Sequence, residues 1–298
     1  MLGVHRSVVY REVKRNGLKR GGYNAAQAEE LAKERKERFG RTRKLTQKVQ
    51  QLIREKLYQE WSPEQIAGYC RKNHIDMVSH ETIYQFIYQD KKQGGLLYKK
   101  LRIACKPYRK RYGHYDHRGK IPDRISIEQR PEIVNQKQRY GDWEADTIIG
   151  KHHQGAVLTL VERKSYFTLL EKLEHKKADL TRQKMINLLA TYKEQVHTIT
   201  ADNGVEFTEH KTIAQKLDAD FYFTHPYSAW EKGINENTNG LIRQYLPKIT
   251  NLKEVSIEQL KEIENKLNTR PRKALHWKTP LQVFMVTFNK HQSVALET

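Results

Sequence analysis

Acidic side chains at three places in this 298-residue chain have the types and spacing for metal or acid–base chemistry. Asp202 follows Val196-His197-Thr198-Ile199-Thr200-Ala201 and precedes Asn203-Gly204. The β-branched run suits a short, largely buried strand, and Asn-Gly favours a turn. One carboxylate is thereby carried to the end of a sheet, where ligands and metals commonly sit in α/β proteins. The plainer reading is that Asp202 only shapes an Asx turn. Asp142, Glu144 and Asp146 alternate, so within a strand all three face one side. A strand in a parallel-containing core should be apolar; these acids therefore either sit at a solvent end or bind a cation. Glu236 opens a helix and shares a face with Gly240 and Arg243, where glycine permits close approach.

The elements that must position these acids are legible from residue 139 onward. Trp143–Ile149, Val157–Glu162 and Phe167–Leu173 read as strands, and Leu180–Glu194 as a helix with an apolar stripe of Met185, Leu188 and Leu189. Val196–Thr200 is a fourth strand, Thr212–Leu217 a short helix and Asp220–Thr224 a fifth strand. A helix from Ile234 to Tyr245 ends before Pro247. This is an α/β pattern.

Charge divides the chain. Residues 1–120 hold 29 Lys+Arg and 12 Asp+Glu, a surplus of 17, whereas residues 121–298 hold 26 and 23, a surplus of 3. The overall charge of +20 points to a polyanion partner. A membrane surface fits less well, because no strong apolar face accompanies the basic runs. Arg6, Arg11, Lys14 and Arg15 line the polar side of a helix whose Val9 and Val13 share a face and which Gly17 can end. It suits the groove-reading helix of a helix-turn-helix, with the supporting helix expected upstream of the first residue, so residues 1–40 read as a partial unit plus a helical connector. A complete candidate occupies 41–105. Lys48–Tyr58 is amphipathic, Ser62-Pro63-Glu64-Gln65 forms a capping box before a helix to Asn73, and Ser79 caps the next helix with Thr82 at N3. Two capped helices and a short join suit a helix-turn-helix, placing Ser79, His80, Thr82 and Tyr84 near DNA. Residues 106–138, with Arg109, Lys110 and Arg111 among interleaved tyrosines, read as a basic linker able to neutralise phosphates; residues 139–298 form the remaining domain.

Cys70 and Cys105 are isolated, which supports neither a zinc site nor a disulfide framework and suits a reducing compartment. No stretch is long and apolar enough to span a bilayer, and a cytoplasmic, nucleoid-associated protein is expected.

Several motifs in order resemble the insertion-sequence-30 family of transposases, in the DDE group. They are Asp142-Trp143-Glu144-Ala145-Asp146-Thr147-Ile148-Ile149-Gly150, Thr159-Leu160-Val161-Glu162-Arg163-Lys164 and Thr200-Ala201-Asp202-Asn203-Gly204-Val205-Glu206-Phe207. Further on stand Pro226-Tyr227-Ser228-Ala229-Trp230-Glu231-Lys232-Gly233, Asn235-Glu236-Asn237-Thr238-Asn239-Gly240-Leu241-Ile242-Arg243-Gln244-Tyr245 and Leu267-Asn268-Thr269-Arg270-Pro271-Arg272-Lys273. The resemblance implies a ribonuclease-H-like mixed five-stranded sheet with flanking helices, preceded by an all-α helix-turn-helix region. It implies catalytic, metal-binding roles for Asp146, Asp202 and Glu236, and it selects Asp146 over Asp142 and Glu144. The 33 residues 203–235 between the last two acids match the family's spacing.

Three carboxylates with hard oxygen donors suit two Mg²⁺ or Mn²⁺ ions per site, and two such ions can serve phosphoryl transfer on DNA. Trp230, Lys232, Asn235, Asn239 and Arg243 are expected to hold DNA beside them, each with packing or capping as the plainer role. Glu206 and Glu231 are read as structural or DNA-facing. The partners implied are double-stranded DNA, terminal repeats and target alike, and a second copy of the chain in a homodimer or higher oligomer. The rivals are a transposase-derived repressor without catalysis and a ribonuclease-H-like nuclease without strand transfer. One departure is Ile249 where the family usually has Gly, which predicts strain if that position needs φ > 0.

Overall fold

The structure, a computed structural model, describes residues 4–17, 22–38, 44–102, 121–226 and 228–286. Arg109, Lys110 and Arg111 lie outside the described residues. The chain divides into two compact units, 1–50 and 51–298.

In the first unit, helix α1 (Arg6–Asn16) and helix α2 (Ala25–Arg38) match the helix-forming composition of those stretches. The Tyr23 hydroxyl donates to Glu12 at 3.0 Å, and Arg35 bonds Asn16. Arg6, Arg11, Lys14 and Arg15 are exposed on α1, but so are Val9 and Val13.

Helix α3 (Gln47–Tyr58) leads from the first unit into the second, where α4 (Pro63–Lys72) and α5 (His80–Lys92) follow. Both arms of the Ser62–Gln65 capping box are present, and Ser79 caps α5 through the Thr82 amide. Ile53, Leu57, Ile66, Cys70, Ile83 and Ile87 are buried, as the apolar stripes require. Burial raises the Cys70 thiol pKa.

The sheet has six strands, one more than expected. β1 (Ile125–Ser126) pairs in parallel with a later strand at the sheet edge, and the short helix α6 (Glu132–Asn135) follows. The linker expected over 106–138 is therefore built into the core unit from Ile121 onward, because Ile121, Ile127 and Val134 are buried there. The five expected strands are β2 (Asp142–Ile149), β3 (Ala156–Glu162), β4 (Thr168–Leu173), β5 (Thr198–Ala201) and β6 (Asp220–Phe223). Their order is β1-β6-β5-β2-β3-β4; β2, β3 and β4 are antiparallel neighbours, while β5 and β6 run parallel to β2. β2 is preceded by Gly141, whose φ of +90° and contact with the Gln195 carbonyl leave no room for a Cβ.

Alternation along β2 sends Trp143 and Ala145 to one face, into a core shared with α7 (Ala178–Ala190) and α8 (His210–Leu217). The opposite face carries Asp142, Glu144 and Asp146, then turns apolar at Ile148. It is covered by α9 (Gly233–Tyr245) and α10 (Ile257–Thr269) through Leu241, Ile242, Leu246, Leu260, Ile263 and Leu267. Ile249 is 77% exposed and is not among the described residues of positive φ, so the expected strain does not arise.

Candidate active site

The parallel register of β2 and β5 sets the site. Asp142 pairs with Thr198, Trp143 with Ile199 and Glu144 with Thr200. The pairing ends there; Asp202 follows the last residue of β5, and its charge acts on Asp146. The Asx turn is also real, since Gly204 N–H donates to Asp202 Oδ1 at 3.1 Å. The plainer reading of Asp202 therefore holds, and the turn fixes the carboxylate's place just beyond β5.

The three alternating acids have separate fates. Asp142 is fully buried, accepting from Arg139 at 3.1 Å and from the Thr198 hydroxyl at 2.8 Å. Glu144 is fully buried, paired with Arg163 and accepting the Asn235 N–H at 2.8 Å. Only Asp146 keeps side-chain access, at 24%. Its Oδ2 accepts from Asn239 at 2.7 Å, and its Oδ1 accepts the Thr147 N–H at 2.9 Å and lies 3.4 Å from Lys232 Nζ. Burial raises the Asp146 pKa; the Lys232 charge opposes this and the neighbouring Asp202 adds to it. Burial likewise raises Glu144, against the Arg163 charge.

The N-cap position of α9, Lys232, supplies no capping side chain. The sheet caps the helix instead, through the Glu144 carboxylate on Asn235 N–H, in the first turn. The Asn235 side chain donates to the Glu144 carbonyl at 3.1 Å and accepts from the Thr159 hydroxyl at 3.0 Å. Four residues on, Asn239 reaches Asp146, so α9 lies along the acidic strip of β2. Glu236, next to Asn235, is exposed on the first turn of α9, three residues before Asn239.

Among the described residues, no three His, Cys, Asp or Glu side chains converge closely enough to hold an ion between them. The donor set nevertheless fits a hard divalent cation in kind: carboxylate oxygens from two strand ends, below a helix bearing a third.

The expected DNA-holding residues separate in the same way. Trp230 is 73% exposed, so it does not pack in the core. Lys232 is buried, donating to the Ala145 carbonyl at 3.0 Å beside Asp146, and Asn235 is fully buried; both are internal props rather than surface contacts. Asn239 is half-buried on Asp146, and Arg243 donates to the Ile149 carbonyl at 2.8 Å. Ser79 and His80 are exposed, while Thr82 and Tyr84 are half-buried. Glu206 is buried rather than DNA-facing. It accepts from Thr147 and pairs with Lys176, both at 2.7 Å, and a Cβ on Gly204 would run into its carboxylate. Arg163 and Thr159 carry no local signal of their role, because their partners lie on other elements.

The second unit is thus a mixed α/β sheet flanked by helices, preceded in the sequence by helical elements. A homeodomain-like domain model matches residues 8–87, spanning both helical candidates. The chain is 48% identical to the transposase for insertion sequence element IS4351 of Bacteroides fragilis, over 97% of this chain and 89% of that protein. It is 39% identical to the transposase for IS1086 of Cupriavidus metallidurans, over 95% and 86%. With transposase InsI for IS30A of Escherichia coli it shares 32% identity, over 79% and 64%. The catalytic core domain of BIV integrase aligns at 18% identity and a TM-score of 0.42, over 51% of this chain and 98% of that one. The chain belongs to the insertion-sequence-30 family of transposases.

Proposed function

We propose that this chain cuts DNA at the ends of an insertion sequence and joins those ends to target DNA, with Asp146, Asp202 and Glu236 holding two Mg²⁺ or Mn²⁺ ions. The observation that supports the reading is the parallel pairing of β2 with β5, with Asp146 two residues past the last pair on β2 and Asp202 two residues past it on the other chain segment, close enough for their charges to interact. Bound cations would polarise the scissile phosphate and activate the attacking oxygen. Asp146 and Asp202 supply oxygen donors from rigid strands, and Glu236 supplies one from the helix that Glu144 and Asn235 pin to the sheet. Asn239 orients Asp146, and Lys232 balances its charge from below. The two helical regions hold duplex DNA, with Arg6, Arg11, Lys14, Arg15, Ser79, His80, Thr82 and Tyr84 as contacts, while Trp230 stacks on a base near the cut. A pair of chains brings two element ends together.

The test is a labelled duplex carrying the terminal repeat, incubated with Mg²⁺, Mn²⁺ or EDTA, with wild type and Asp202→Asn. Metal-dependent cleavage and joined products, both lost in the variant, are expected. Binding without cleavage under every metal condition would sink the catalytic reading and leave a DNA-binding repressor.

A further inference from the structure

On the flank of α9 away from the acids, a cavity of about 130 Å³ opens in the second unit, several times what one water needs. Lys100, Arg102, Arg270 and Arg272 line it, with Asn237 and Gln244 of α9. Its one acidic residue, Glu60, is already paired with Arg270 at 2.8 Å and lies 3.9 Å from Lys266. Among the described residues, the cationic surplus is therefore uncompensated. Burial, then the charges of Arg270 and Arg102, pull the Arg272 guanidinium down to about 10. The Nε atoms of both Arg270 and Arg272 are buried with no hydrogen-bond partner. Arg102 lies over the backbone of α9 at Gly240, where an added Cβ would sit 3.2 Å from its guanidinium. Crowded like charges and orphaned donors lower stability unless an anion joins them.

We infer that this cavity binds one backbone phosphate of DNA, held by Lys100, Arg102 and Arg272. Guanidinium forks match phosphate oxygens, and Asn237 and Gln244 can add side-chain donors. The cavity wall includes Asn237, the residue after Glu236, so a phosphate held here would fix the duplex at a set distance from the acids. Naming the anion as DNA rests on the proposed function; the anion site itself does not.

The experiment uses the full chain in the Asp202→Asn background with EDTA, so no cleavage is needed to read it. Arg102→Gln and Arg102→Gln/Arg272→Gln are compared with their parent. One measurement is the shift in melting temperature on adding inorganic phosphate against chloride at equal ionic strength. The other is duplex affinity by fluorescence anisotropy between about 50 and 200 mM salt. Phosphate is expected to raise the parent's melting temperature and to lose that effect in both variants. The slope of log affinity against log salt should fall by ~0.9, the loss of one phosphate contact. Arg102 is exposed, so Arg102→Gln keeps the test readable if the double variant folds poorly. An unchanged slope with a lost phosphate response would mean the site takes free phosphate and would overturn the DNA assignment. Parental behaviour in both measurements would overturn the site altogether.

Discussion

At the scale of single residues, the site depends on how closely atoms approach Asp146 and Asp202. Gly204 has φ of −72°, so space rather than backbone freedom demands glycine there: the buried Glu206 carboxylate lies against its Cα. Gly204→Ala should cost about 1–3 kcal/mol, typical of overpacking, and displace the Asp202 turn. Chemical denaturation would show the loss, and cleavage should fall further than stability alone explains. Asp202→Asn removes the charge that repels Asp146. Mg²⁺ should therefore raise the melting temperature of wild type, by a free energy of about 2.7 kcal/mol at a hundredfold excess over Kd, and leave the variant unmoved. An equal rise in both would remove Asp202 from the metal site. His225 titrates in the opposite sense. Its hydrogen bond to Glu231 at 2.7 Å, with the charges of Glu231 and Glu128, raises its pKa. The contact is then fully present below the unfolded value of about 6.5 and is lost as pH rises through the higher folded value. Protection factors at residues 228–232, which divide out the base-catalysed intrinsic exchange rate, should fall from pH 6 to pH 8, and His225→Gln should abolish that fall.

At the scale of elements, α9 must be held in place on the sheet. Its first turn has no cap of its own; Glu144, paired with Arg163 in the interior, does that work from the sheet. Arg163→Met leaves the Glu144 carboxylate buried and unpaired and should cost about 3–5 kcal/mol. Asn235→Ala strips the Thr159 and Glu144 carbonyl contacts but keeps the backbone N–H bond. It should cost about 1–3 kcal/mol and lower kcat with little change in DNA affinity. Equal losses in binding and turnover would show that the pair merely supports the fold.

At the scale of the whole molecule, most of the positive charge and the candidate acids lie in different parts of the sequence. The surplus of 17 positive charges in residues 1–120 contrasts with 3 in the remainder. Asp202→Asn should consequently bind duplex DNA with the wild-type salt dependence while cutting none, which filter binding beside the cleavage assay would show. A shallower salt slope in the variant would mean that the acids themselves shape DNA affinity. No helix among the described residues is long and apolar enough to cross a membrane.

Local pattern alone was enough for the five main strands, the capping box at Ser62, the N-cap at Ser79, the Asx turn at Asp202 and the polarity of charge. Each depends on residues within a few positions of one another: β-branched runs, a serine three before a glutamine, an Asn-Gly after a strand. The family's motifs also single out Asp146, but its neighbours Asp142 and Glu144 look equivalent along the strand. Their difference arises from tertiary structure, because Arg139 and Arg163 neutralise two of the three and leave the third facing Asp202. The same holds for Lys232, whose burial against Ala145 and Asp146 no helical periodicity announces, and for the sixth strand, two residues long and stabilised only by pairing with β6. Arg102 meets Arg270 and Arg272 across more than 160 residues of chain. A charge cluster of that kind is decided by packing, since only the folded backbone sets which distant side chains share one cavity.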